Sequence, residues 1–208
     1  MSDEVVERVV DALAENEAAK PWVFGMTSLG LARLLEAEER VLVARLAVPL
    51  ENGRIVLRAG YYATPAFVPR LSAEQRVFFD RAFTPDPVRP NAPLASRTLT
   101  AALRSARIPG LDLAFETLLA SGALVRVGED LYRREQVAAI RAALEGELRT
   151  RGHVTVAQFR DAIGTSRRYA VPLLEWFDAN GVTMRDGDNR FPPPAEPVPF
   201  AIDEDRSA

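Results

Sequence analysis

Several residue types that commonly build catalytic or metal sites are missing or rare in this chain. Its 208 residues include no cysteine and one histidine, His153, so disulfides, thiol chemistry and a zinc site are not expected. The only lysine is Lys20, and no G-x-x-x-x-G-K-[ST] loop occurs, so no phosphate cradle of the P-loop kind is predicted. No apolar run reaches the length of about 18 residues that a membrane helix needs. We therefore expect no metal, no cofactor, no membrane span and no enzymatic activity in this chain by itself.

The charge of the chain is distributed unevenly along its length. The net charge is −3, with 26% charged and 48% hydrophobic residues, values typical of a globular protein. Residues 1–52 carry five basic and ten acidic side chains, 53–135 carry twelve and eight, and 149–190 carry seven and five. Apart from Lys20 these basic residues are arginines, whose planar fork suits phosphate and guanine. The overall acidity disfavours indiscriminate binding to nucleic acid but permits a local site.

A short sequence pattern occurs three times. In 115–134 and 174–191 an apolar helical stretch ends at a glycine, an arginine follows four residues later, and a second glycine follows six residues later, directly before an acidic residue. A looser copy lies at 46–64. Glycine ends helices readily because it adopts the left-handed conformation, and glycine beside an acidic residue is typical of a hairpin turn. Each copy therefore predicts a helix followed by a β-hairpin.

Two further helical stretches precede each copy of the pattern. They are 3–15 and 28–38 for the first copy, 71–83 and 96–107 for the second, and 135–152 and 156–164 for the third. Three helices followed by a hairpin form the winged-helix variant of helix-turn-helix. We predict a mainly α protein with small β-hairpins (α+β), built of tandem winged-helix domains. The predicted divisions are 1–66, 67–134 with a long proline-rich internal loop, 135–192, and a proline-rich acidic tail at 193–208.

The last helical stretch of the third copy, 164–178, is the best candidate for a binding element. At about 100° per residue, one stripe of this helix is apolar and faces a core. The other side presents Arg167, Arg168 and Tyr169 from the first turn, which is the part that helix-turn-helix proteins use for contact. Pro172 leaves two interpretations open, because proline removes a hydrogen bond inside a helix. Either it separates the arginine-bearing turn from the packed remainder, or the helix begins near Pro172 and 166–169 is a loop.

The hairpin of the third copy supplies further polar side chains. Arg185 lies on its first strand, and Asn189 and Arg190 lie on its second strand. Arg160, on the preceding helix, adds another cation. Side chains of these types suit a nucleic-acid backbone or an unpaired base.

Residues 154–191 resemble the last winged-helix domain of SelB, the selenocysteine-specific translation elongation factor of bacteria. That family shows a Phe-Arg-Asp motif, a Thr-Ser-Arg-basic-Tyr-Ala run followed by Pro-Leu-Leu-Glu, and a Thr-x-Arg-x-Gly-Asp wing. These motifs are found here at 159–161, 165–175 and 183–188. The resemblance is weaker over 1–135, where 25–35 is similar to an upstream winged helix of the family. The proline inside the helix belongs to the family pattern.

The resemblance implies a function in translation. In that family the C-terminal winged helices bind the selenocysteine insertion hairpin of messenger RNA, and the last one holds the loop. It implies that this chain is the C-terminal arm of a SelB-type factor, supports selenocysteine incorporation at UGA, meets the ribosome through the full-length factor, and is a cytoplasmic monomer. The family's GTPase and tRNA-binding part is absent from these residues, so GTP binding is attributed to the full-length family only. The predicted RNA-binding residues are Arg160, Arg167, Arg168, Tyr169, Arg185, Asn189 and Arg190.

Three alternatives remain open from the residues alone. The arginines of the third copy could be ordinary solvated surface, paired with Asp161, Asp178 or Asp186. The chain could be a DNA-binding winged-helix regulator, which should dimerise and carry a basic face on more than one domain. It could also be a tandem winged-helix scaffold that binds protein, an idea that the acidic segment 1–52 favours locally. We expect the first two domains to act mainly as a spacer.

Overall fold

The computed structural model describes residues 2–94 and 96–194. Most of the predicted acidic tail at 193–208 therefore lies outside the described residues. The chain divides into two compact units, one ending at Val137 and the other beginning at Ala138. Within the described ranges no helix is both long and apolar enough to cross a membrane.

The first unit opens with three helices and a two-stranded antiparallel hairpin. These elements are α1 (Ser2–Ala19), α2 (Ser28–Leu34), α3 (Glu39–Glu51), β1 (Val56–Arg58) and β2 (Tyr61–Ala63). Thr27 begins α2 as its N-cap, because its side chain accepts a hydrogen bond from the backbone N–H of Gly30 at 3.1 Å. The apolar sides of the three helices enclose a core of Val9, Leu13, Leu31, Leu42, Leu46, Ile55 and Tyr62.

The same arrangement follows a second time within the first unit. Its elements are α4 (Ala73–Ala82), α5 (Ser96–Ser105), α6 (Leu111–Ala120), β3 (Leu124–Val127) and β4 (Asp130–Arg133). Ser72 and Gln75 form a capping box at the start of α4. In the long loop before α5, the backbone N–H of Val88 and the Arg89 side chain hold the pKa of Asp86 below its ordinary value.

One aromatic side chain ties the first helical set to the second. Trp22 follows α1 but packs against the core that α4, α5 and α6 share. A Cβ atom placed on Gly110 would lie 2.1 Å from Trp22 Nε1, so only glycine fits at this position, where φ is +63°. Nearby, the backbone N–H of Arg70 donates to the carbonyl of Pro21 at 2.7 Å.

The second unit completes a third set of helices and strands. The chain divides within α7 (Arg134–Arg151), and the remaining elements are β5 (Val154–Thr155), α8 (Val156–Ala162), α9 (Arg167–Ala179), β6 (Met184–Asp186) and β7 (Asn189–Phe191). The strands form an antiparallel sheet in the order β5-β7-β6, so β7 lies at its centre. Thr155 and Gln158 form a capping box that begins α8.

The core of the second unit lies under α8, α9 and this sheet. Phe159 on α8 and Phe177 on α9 meet edge to face, with ring centroids 6.4 Å apart. The stripe predicted to face the core is buried along its whole length. The buried apolar residues of these elements are Val154, Phe159, Ile163, Ala170, Leu173, Leu174 and Phe177.

The predicted fold class, a mainly α chain with small hairpins arranged as tandem winged helices, is confirmed. The two glycines that were predicted to end the last helix of their copies do so in left-handed conformations, at φ +69° for Gly122 and +68° for Gly181. Each is followed by a short antiparallel hairpin. The exact limits of the three predicted domains stay a prediction.

Candidate nucleic-acid interface

Helix α9 begins ahead of its proline. The backbone N–H groups of Tyr169 and Ala170 both donate to the carbonyl of Ser166, at 3.0 and 2.9 Å, so 167–169 forms the first helical turn. The interpretation of 166–169 as a loop is therefore wrong. Pro172 lies inside α9 and has no N–H to donate to the carbonyl of Arg168. The turn that carries the two arginines is thus helical, but it has one backbone hydrogen bond fewer to the rest of α9.

The first turn of α9 carries two exposed cations of the predicted site. Arg167 and Arg168 are exposed, whereas Tyr169 is half-buried. The Arg168 guanidinium lies 5.4 Å from the centroid of the Tyr169 ring, within the range of a cation–π contact. Among the described residues neither arginine has a carboxylate partner. Both guanidinium groups therefore remain available to an external anion.

The wing, β6 and β7 with the turn between them, presents Arg185 at its edge. Arg185 is exposed, and its Nε donates to the carbonyl of Gly187 at 3.1 Å. In the part of the chain that the structure covers, no carboxylate pairs with it. Asn189, on the central strand, is half-buried between Thr155 and Asp186 on the neighbouring strands. Of these two predicted residues, Arg185 is the more accessible.

The expectation that Arg190 faces outward on the wing is wrong. Its side chain is only 3% exposed, and its Nε donates to Asp178 Oδ2 at 3.1 Å. The physical reason is its register on the central strand. Arg190 lies opposite Val154, which is fully buried, and opposite residues share one face of a sheet. Arg190 is therefore a core residue with an internal partner, and we no longer count it among the contact residues.

Arg160 is consistent both with RNA contact and with an ordinary surface arginine paired with a carboxylate. Its side chain is 40% exposed and its Nη2 lies 2.6 Å from Asp161 Oδ1, an ion pair with the adjacent residue. Such surface pairs are worth about 0–1 kcal/mol, so a phosphate could replace the carboxylate at little cost. The carbonyl of Arg160 accepts from the backbone N–H of Thr165 at 3.1 Å, which places this end of α8 beside the start of α9.

The sequence analysis named Asp178 only as a possible surface partner of the arginines, and it did not predict the role of Thr183 or the burial of this region. Asp178 and Thr183 join Arg190 in a buried polar cluster, since Thr183 Oγ1 donates to Asp178 Oδ1 at 2.6 Å. A signal for them was present in the repeat. The matched positions of the second copy hold leucines, so polar residues at these places are exceptional.

The arrangement as a whole suits recognition of an anion or a base. It combines exposed guanidinium groups, one half-buried tyrosine and the free amide end of a helix, which are groups that bind phosphates and bases. Across 2–94 and 96–194 there is no group of three or more His, Cys, Asp or Glu residues placed to hold a metal ion.

A curated relative agrees with the sequence resemblance. The chain is 28% identical over 159 residues to the selenocysteine-specific elongation factor of Desulfomicrobium baculatum. The alignment covers 72% of this chain but 23% of that relative, so the chain spans about a quarter of the relative's length. Among solved structures, the mRNA-binding domain of elongation factor SelB from E. coli, in complex with SECIS RNA, is similar with a TM-score of 0.46 and 22% identity. That match covers 59% of this chain and 99% of that chain.

A family model supplies the most specific match. The model described as elongation factor SelB, winged helix, matches residues 147–191, which include β5, α8, α9 and the wing. The resemblance predicted from 154–191 is thereby confirmed. Residues 147–191 of this chain are therefore similar to the winged-helix domain of elongation factor SelB.

Proposed function

We propose that this chain binds a stem-loop of messenger RNA, the selenocysteine insertion hairpin, as the C-terminal arm of a SelB-type elongation factor. The observation that carries the proposal is the SelB winged helix at 147–191, whose first turn of α9 leaves Arg167 and Arg168 exposed without carboxylate partners among the described residues. In this role the chain contributes to selenocysteine incorporation by recruiting the message.

The start of α9 is suited to phosphate and to a base edge. Ser166 provides no side-chain cap, so amide groups of the first turn point outward without that acceptor. The helix dipole adds positive potential at this end, where anions bind favourably. Arg167 and Arg168 then supply guanidinium forks that bond phosphate or guanine through two parallel hydrogen bonds.

The size of the surface favours a hairpin loop over a long duplex. Duplex RNA hides its base edges in a deep, narrow groove, so sequence is read where bases are unpaired. The exposed cations of the proposed surface lie on one helical turn, the wing edge and the end of α8. The chain is acidic overall, with a net charge of −3, so unspecific attraction should be weak. We propose that loop nucleotides carry most of the discrimination.

The remaining features of a SelB-type factor are assigned to the longer protein. The chain spans 23% of its curated relative, and GTP hydrolysis, tRNA delivery and contact with the ribosome belong to that full length in our proposal. This chain contributes recognition alone, as a cytoplasmic monomer without cofactor, metal or enzymatic activity.

A selection followed by titration tests the proposal. The full chain is presented with RNA hairpins that share one stem and carry randomised loops, and the enriched hairpin is then titrated at two salt concentrations. The comparison ligands are the same stem closed by an unrelated loop and a duplex DNA of equal length. We expect the enriched hairpin to bind at least about tenfold more tightly than either, a difference of about 1.4 kcal/mol.

A matched pair of variants locates the binding surface. Arg167→Ala should weaken binding of the enriched hairpin, whereas Arg76→Ala, which removes an exposed arginine from α4, should not. Equal binding of all three ligands would contradict loop recognition. Preferential binding of the DNA would favour the regulator, and binding of none would favour the protein scaffold.

A further inference from the structure

Two buried polar residues and one half-buried aspartate lie together between α9 and the wing. We call Asp178, Thr183 and Arg190 the polar trio. Thr183 and Arg190 are each 3% exposed, and the Asp178 side chain is 20% exposed. One carboxylate oxygen of Asp178 accepts from Thr183 Oγ1 at 2.6 Å, and the other accepts from Arg190 Nε at 3.1 Å. Asp178, at the end of α9, thus bonds to β7 and to the residue directly before β6.

The second copy of the repeat places leucines at the same three positions. Counting from the matched glycines, Asp178 corresponds to Leu119, Thr183 to Leu124 and Arg190 to Leu131. The register confirms the match on the wing, because Arg185 faces Arg190 as Arg126 faces Leu131. Leu124 and Leu131 are each 3% exposed and Leu119 packs against the same core. Apolar side chains therefore suffice to close this part of a winged helix.

Stability alone gives no reason for the exchange of leucine for polar groups. Replacing a buried ion pair by apolar residues of similar volume is often neutral or stabilising, because desolvation offsets the attraction. Arg185 and Arg190 lie opposite each other on the hairpin, and their like charges repel. The negative charge of Asp178 offsets this repulsion. Directional hydrogen bonds differ from apolar contacts in fixing a geometry, since they weaken steeply when misaligned.

We propose that the polar trio fixes the wing relative to α9, so that Arg185 and the first turn of α9 engage one RNA hairpin at the same time. Asp178, Thr183 and Arg190 are positioning residues, and Arg185 is the group that touches RNA. This inference rests on the proposed function. According to this inference the trio supports specificity for the hairpin loop. The first turn of α9 and the wing can distinguish one loop from another only when the distance between them is fixed.

The central experiment transfers the leucines of the second copy into the third. The variant D178L/T183L/R190L is prepared in the full chain, and its urea unfolding and its titration with the enriched hairpin are measured. We expect stability equal to or above wild type and binding weakened on the order of tenfold, since residues of one network couple at this scale. Arg185→Ala should weaken hairpin binding by the wild type but cause little further loss in the leucine variant. Arg167→Ala should weaken hairpin binding by the same factor in both.

A second pair of variants covers the case in which three leucines do not fold. Thr183→Val removes one hydrogen bond of the trio, and Ile163→Val removes a methylene from the buried end of α8 as a control of similar stability loss. The inference requires weaker hairpin binding for Thr183→Val than for Ile163→Val. Equal binding by these two, or wild-type binding by a folded leucine variant, would overturn it.

A measurement without RNA separates this inference from the proposed function. Amide hydrogen exchange of 184–191 should be faster in Thr183→Val than in Ile163→Val, because the wing has lost an anchor. If the wild type bound no hairpin, the proposed function would fail and this exchange difference would still decide whether the trio holds the wing. Unchanged exchange in the wing would refute the positioning role whatever the RNA result.

Discussion

Asp178→Ala should be among the most destabilising exchanges in the second unit. The change leaves the Arg190 guanidinium buried without its carboxylate and removes the acceptor of Thr183 Oγ1. Removing one partner of a buried ion pair costs about 3–5 kcal/mol. Because the Asp178 side chain is 20% exposed, water screens part of the charge. We therefore expect a loss near the lower limit, about 3 kcal/mol in the free energy of unfolding.

Urea unfolding followed by Trp176 fluorescence measures this loss. Trp176 lies on α9 with its ring 5.4 Å from that of Phe177, so its emission reports on the core of the second unit. A Trp22→Phe background removes the only other tryptophan signal. Asp161→Ala is the matched control, since it removes a carboxylate from an exposed pair and should cost less than about 1 kcal/mol. If Asp178→Ala cost no more than this control, the buried pair would not stabilise the fold as argued.

Three further predictions concern recognition and its limits. Arg167→Ala and Arg168→Ala should each weaken hairpin binding by about 1–3 kcal/mol if they read a base edge. If they contact only phosphate, any RNA should be affected and the salt dependence should fall by about one contact, which titrations at several salt concentrations would distinguish. A fragment of residues 136–192 should fold and bind the hairpin, as circular dichroism and titration would show, and an unfolded or inert fragment would contradict this. Equilibrium dialysis with labelled GTP should detect no binding by the chain, because its only lysine, Lys20, has no glycine-rich loop beside it.

The sequence was sufficient for the helices, the hairpins and the inner face of α9, because these depend on local rules. Glycines at helix ends and apolar residues at helical spacing act within one element, so their signals can be read along the chain. The position of Arg190 depends on Asp178, which lies on another element. No local pattern marks an arginine as buried when its partner comes from a different part of the fold. The start of α9 was ambiguous for a related reason, since Pro172 argues against a helix only until the bonds around Ser166 are known.

The contact between Trp22 and Gly110 has a consequence for how the first unit behaves mechanically. The ring comes from the first helical set and is packed in the core of the second, against a glycine that leaves no room for movement. The connecting segment 64–69 is therefore not the only tie between the two sets. A protease cut in that segment would nick the chain while both pieces stayed clamped together, and they would unfold as one cooperative body.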